Sequence, residues 1–60
     1  MKIKVGDKVK VVFNGGEVSI CTVIGDDGEK NGMKVYDLED SKGMGRWCYE
    51  NQITQVLTKH

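Results

Sequence analysis

Lys8-Val9-Lys10-Val11-Val12-Phe13-Asn14-Gly15-Gly16-Glu17-Val18-Ser19-Ile20-Cys21-Thr22-Val23-Ile24-Gly25 is the stretch on which the fold turns. Val9, Val11 and Phe13 alternate with Lys8, Lys10 and Val12. A period of two is the mark of a half-buried strand, and it predicts one over 8–13. Asn14-Gly15 follows. Both central residues of a tight type I′ hairpin turn need positive φ, which Asn and Gly adopt most readily, and Gly16 adds slack. The return strand is predicted over 17–25. It carries Val18, Ile20, Thr22 and Ile24 on one face and Ser19, Cys21 and Val23 on the other. Neither face is cleanly polar, which suits a central strand that bends between two layers.

The rest of the chain reads outward from this hairpin. Residues 3–5 alternate briefly before a Gly6-Asp7 turn. Residues 26–32, Asp-Asp-Gly-Glu-Lys-Asn-Gly, read as a loop. A third strand over 33–39 puts Lys34, Tyr36 and Leu38 on one face and Met33, Val35, Asp37 and Glu39 on the other. Residues 41–45 form a flexible turn that presents Met44. A fourth strand over 46–50 puts Trp47 and Tyr49 on one face and Cys48 on the other. One helical turn over 50–53 leads to a last strand over 54–58, with Lys59 and His60 as a tail. There is no repeat, linker or low-complexity segment.

Composition agrees with an all-β chain. Of the 60 residues, eight are valine, four isoleucine and three threonine; alanine is absent. β-Branched side chains fit a pleated sheet, whereas alanine and straight side chains favour helices. At this length one small domain is expected, burying only about 60% of its unfolded surface. Five short strands with tight turns then predict a small barrel, because closing the sheet removes exposed edges and lets few residues share one core. The formal net charge is zero, which argues against a generic polyanion binder. No apolar run approaches the ~20 residues of a membrane span, and the first ten residues lack the apolar core of a secretory signal. A cytoplasmic location, with Cys21 and Cys48 as free thiols, is the expectation. They are not in a C-x-x-C pair and only His60 could assist them, so no metal site is expected.

Val5-Gly6-Asp7-Lys8-Val9-Lys10-Val11 resembles the first strand of SH3-like barrels, including the KOW type of ribosomal and transcription-elongation proteins. Trp47-Cys48-Tyr49-Glu50-Asn51-Gln52-Ile53 resembles the aromatic strand, short 3₁₀ turn and final apolar anchor of the same group. The resemblance covers most of the chain as a strand pattern and implies a five-stranded SH3-like barrel. The chain departs from the KOW pattern at Cys21, where a glycine would stand, and at Glu17, where the RNA-binding loop would be basic. It departs from peptide-binding SH3 domains in lacking their acidic loop between the first two strands and their Trp-Trp pair. Neither partner class is therefore carried over with the fold.

Charge is unevenly spread. Residues 1–13 sum to +3, residues 17–40 to −5 and residues 41–60 to +2. An acidic lobe can steer a basic partner or compete with nucleic acid for a basic groove; it can equally be a solvated set of turns. Trp47 and Tyr49, with Tyr36 on the neighbouring strand, are candidate interface anchors, because such rings combine large area with a polar edge. Arg46 and Lys34 would flank them. The alternative is that the rings fill the barrel, unless Val9, Val11, Val23, Leu38, Ile53 and Val56 already do so and leave Trp47 at the rim. Met44 on its turn can repack against a partner or fold back on the sheet. Asp26, Asp27, Glu29 and Asn31 crowd one stretch but lack EF-hand spacing. No catalytic motif or cofactor fingerprint is present, so an enzyme is not expected.

Three roles fit these features. The first is a stand-alone protein-interaction module of the kind phages or mobile elements encode to bind and modulate a host protein. It would use Tyr36, Asp37, Glu39, Met44, Arg46, Trp47 and Tyr49. The second is a KOW-like nucleic-acid-binding barrel, gathering Lys2, Lys4, Lys8, Lys10, Lys34, Lys42 and Arg46 around Trp47 or Tyr49. The third is an oligomerising subunit that pairs through an open sheet edge.

Overall fold

The central strand is longer than its hydrophobic stretch. A computed structural model describes residues 2–58; the predicted tail, Lys59 and His60, lies outside them. The described residues form strands β1 (Lys8–Val12), β2 (Val18–Lys30), β3 (Met33–Glu39), β4 (Gly45–Tyr49) and β5 (Ile53–Val56). All pairings are antiparallel, in one sheet of order β4-β3-β2-β1-β5. A 3₁₀ turn at Glu50–Gln52 precedes β5. The fold is thus all-β, as composition and periodicity predict.

β2 serves two partners. Its first half, Val18 to Thr22, pairs with β1, and its second half, Thr22 to Lys30, pairs with β3. Register shifts between Val23 and Gly25 and between Asp26 and Glu29 are bulges, which bend a strand and increase its twist. The predicted loop over 26–32 is therefore corrected. Residues up to Lys30 are strand, and only Asn31 and Gly32 turn. The polarity of Asp-Asp-Gly-Glu-Lys reports exposure, not irregularity: this end of the hairpin is solvated, and its side chains pair across strands. Lys34 Nζ meets Asp26 Oδ2 at 2.6 Å.

The two Asn-Gly dipeptides behave differently. Asn31 and Gly32 have φ of 55° and 77°, the positive pair of a two-residue I′ turn. At Asn14 a third residue, Gly16, lengthens the loop. Asn14–Gly16 is a 3₁₀ turn, with positive φ at Gly15 and Gly16. It is closed by Phe13 N–H donating to Glu17 O at 2.7 Å. The predicted tight hairpin at Asn14-Gly15 becomes a three-residue connection.

The core is Val9, Val11, Phe13, Cys21, Val23, Tyr36, Leu38, Cys48 and Ile53, with Ile3 and Val56 packed against it. On β2 the odd face, Cys21 and Val23, faces inward. Val18, Ile20 and Ile24 are left exposed. Residues 3–5 form no strand. Instead Gly6 N–H donates to Val23 O and Val23 N–H to Asp7 O. The buried Asp7 accepts from Lys4 N–H at 3.0 Å. Both cysteines are free and buried. Burial, with Cys21 adding to it, pushes the Cys48 thiol up to about 11, so it stays protonated and unreactive at neutral pH. Among the described residues no helix is long and apolar enough to cross a membrane.

Candidate functional site

Alternation along β3 and β4 decides what the outer face of the sheet carries. Asp37 lies opposite Trp47, and Val35 opposite Tyr49. These four residues therefore share one face, and Tyr36 and Cys48 share the other. Trp47 is 49% exposed. The reading of this ring as barrel filler is corrected: Val9, Val11, Val23, Leu38 and Ile53 already occupy the interior. Its ring stands edge-on to Tyr49, with centroids 5.4 Å apart and planes at 76°. The Tyr49 hydroxyl in turn accepts from Asn31 Nδ2 at 3.4 Å. The β2–β3 turn thus props the ring pair from the side.

Between Trp47 and the β2–β3 hairpin lies an open groove of about 340 Å³, lined by Asp27, Glu29, Lys30, Val35, Asp37 and Trp47. Val35 is its buried floor although it lies outside the main core. Lys30 Nζ sits 5.1 Å from the Trp47 ring centroid, within the ~6 Å at which an ammonium is attracted to an aromatic face. Gly25 pairs with Asp37 across the hairpin. A Cβ at Gly25 would stand 3.3 Å from Asp37 Oδ2, so the absence of a side chain makes room for that carboxylate. Asp27 lies beside it: hydrogen bonding with Asp37, burial and the Asp37 charge raise the Asp27 pKa above its ordinary value.

The remaining predicted residues separate. Tyr36 leaves the patch: it is 4% exposed, in the core, and its hydroxyl donates to Glu50 Oε2 at 3.3 Å. Burial and the Glu50 charge raise its pKa. Arg46 is held by the chain itself. It makes two hydrogen bonds to Glu17, at 2.7 and 3.2 Å, and its guanidinium lies 3.8 Å from the Phe13 ring centroid. Glu39 shares the face of Asp37 but borders a separate hollow with Lys8, Ile20 and Thr22. Met44 is 63% exposed. Its turn is tied rather than slack, since Asp40 Oδ1 accepts from the N–H groups of Lys42 and Met44, both at 2.9 Å. Those two bonds lower the Asp40 pKa.

Asp27, Glu29, Lys30 and Val35 were not singled out from the sequence as groove residues. Asp27 and Lys30 were hidden because the stretch reads as a loop. The second Asn-Gly, at Asn31-Gly32, was the signal that could have placed them on paired strands. Among the described residues no three His, Cys, Asp or Glu side chains are grouped to hold a metal ion. Comparison with protein-family models, with curated proteins and with solved structures finds no match to this chain. The groove is therefore read from its own chemistry.

Proposed function

We propose that this chain is a protein-interaction module on an SH3-like barrel, docking a partner protein through the Trp47 groove. The strand order, the shared long β2 and the 3₁₀ turn before β5 support the barrel reading. The single observation that carries the docking reading is Trp47 itself. It is the only tryptophan of the chain, is half-exposed, and is braced by Tyr49 at the wall of an open groove. A braced, exposed indole loses little conformational freedom on binding and contributes a large contact area, which is why such rings dominate interfaces.

The nucleic-acid reading needs cations around the ring. Lys8 and Lys10 lie on β1, three strands away from β4 in the sheet order, and three carboxylates against the single ammonium of Lys30 line the groove beside Trp47. A base stacked on this ring would bring its phosphates toward Asp27, Glu29 and Asp37. The arrangement favours a protein partner.

The test is affinity capture by the tagged chain from a native lysate, with and without nuclease, read by mass spectrometry. A nuclease-resistant partner is expected, lost with Trp47→Ala and weakened by charge reversal at Asp37. Capture that needs nucleic acid, or that ignores Trp47→Ala, would overturn the reading.

A further inference from the structure

We propose that the groove is a seat for an arginine side chain from a basic segment of the partner, and that Lys30 fills the seat in the free protein. The inference rests on the docking reading above and names its ligand chemistry.

The argument begins with what lies on the ring. The chain already places a cation there, 5.1 Å from the indole centroid. Lys30 is not locked in place. Lys34 is ion-paired to Asp26 at 2.6 Å and Arg46 to Glu17 at 2.7 Å, whereas Lys30 has no carboxylate within 4.0 Å among the described residues. It stands at the end of β2, next to the Asn31-Gly32 turn, on a flexible four-carbon stem that can swing into solvent.

Charge points the same way. Three carboxylates (Asp27, Glu29 and Asp37) and one ammonium line the groove. The seat therefore stays negative with Lys30 in it, and a further cation is favoured. Asp27 and Asp37 both line the groove, and the missing side chain of Gly25 leaves the Asp37 carboxylate its place there. A cation between the two carboxyls would relieve their repulsion.

Arginine fits better than lysine. A guanidinium is planar: it can lie on an indole face and still direct N–H donors at carboxylates from its edge. An ammonium is a strongly hydrated point charge that does one or the other less well. The groove volume of about 340 Å³ is at the lower end of small-molecule sites, roughly 300–1,000 Å³. It lies open along the sheet, as suits one long side chain entering from a partner surface.

The sole tryptophan makes the test direct. The full chain is titrated with a capped peptide of alternating glycine and arginine, followed by Trp47 fluorescence and by the indole N–H signal in NMR. Peptides with lysine or with uncharged citrulline at the same positions are run beside it. The arginine peptide is expected to give a saturable shift below about 1 mM, the lysine peptide a weaker one and the citrulline peptide none. Asp37→Asn should weaken arginine binding by about tenfold, and Lys30→Met should tighten it by about threefold by removing the internal occupant. Both variants keep Trp47, and circular dichroism checks that they fold. Equal responses to arginine and citrulline, no saturable shift, or unchanged affinity in Asp37→Asn would overturn the arginine seat. So would Lys30→Met weakening the binding. If the arginine peptide fails while a captured protein still depends on Trp47, the seat is wrong and the docking face stands. If capture ignores Trp47→Ala as well, both fall.

Discussion

Of the three rings that lie under a cation among the described residues, Phe13 and Trp47 do opposite things. Phe13 is buried, and Arg46 covers it while gripping Glu17 with two hydrogen bonds. Trp47 is half-exposed, and Lys30 rests on it with no carboxylate within 4.0 Å among the described residues. The first assembly fastens the Asn14–Gly16 connection to β4. The second leaves a ring, a groove lined by carboxylates and an ammonium without an ion pair among the described residues at the surface. The same pairwise contact is closed where ion pairing completes it and left open to solvent where it does not.

The largest expected effect breaks the closed member of the pair. Phe13→Ala should cost about 3 kcal/mol, the scale for emptying a buried phenylalanine site. In so small a domain that is enough to leave a large unfolded fraction. Trp47→Ala should cost less than about 1 kcal/mol, as a half-exposed ring gives up little burial. Urea denaturation of both variants measures the contrast. Equal losses would mean that Trp47 belongs to the core after all.

The cations should divide in the same way. Arg46→Met is expected to lower the melting temperature slightly, because it takes the cation off the Phe13 ring and strips Glu17 of its exposed partner. Lys30→Met should leave it nearly unchanged. Thermal melts of the two side by side decide this, and a larger drop for Lys30→Met would invert the comparison.

Gly25 tests the floor of the open site. In Gly25→Ala the new Cβ would press on Asp37 Oδ2 from 3.3 Å, so the carboxylate must move. Partner binding should fall a few-fold while the fold persists, since the contact is with a side chain that can shift. Unchanged binding would show that Asp37 is not part of the docking surface.

The smallest effect is in acid, and here the two sites carry opposite signs. The Arg46 hydrogen bond holds Glu17 below its ordinary value of 4.5. Its contribution to stability is present above that value and is lost as pH falls through the lower folded-state pKa. Asp27 is raised above its ordinary value of 3.8, chiefly by Asp37. Its contribution is present below that value and is lost as pH rises through the higher folded-state pKa. Glu17→Gln should therefore flatten the acid side of a plot of melting temperature against pH. Asp27→Asn should slightly raise stability near neutrality. Both groups are exposed, so solvent screening keeps the changes small.

Much of the fold could be read from residues alone. The third strand agrees at both ends, 33–39, because alternation runs unbroken between two turn signals. The first and fourth differ by one residue at their ends. β2 extends past the predicted end at Gly25 to Lys30, because a solvated hairpin end is as polar as a loop. Of the candidate site, Trp47 and Tyr49 share a face of β4 by simple alternation, whereas Asp37 rather than Tyr36 joins them only through the β3–β4 register. Arg46 and Tyr36 looked equally eligible, and only contacts with Glu17, Phe13 and Glu50, distant in sequence, withdraw them.

What the sequence determined by itself was the local part: strand propensity, the period of two, the turns, and which residues alternate on each strand. Those follow from backbone sterics and from neighbours a few positions away. The tertiary structure alone decided which face of β2 turns inward, since both faces are apolar and either would satisfy alternation. It also decided whether Trp47 is core or surface, because that depends on whether the valines, Leu38 and Ile53 leave room inside. Finally, it brought Asp27 and Lys30 to Trp47, because bulges in β2 and the Asn31-Gly32 turn set the register that makes them neighbours.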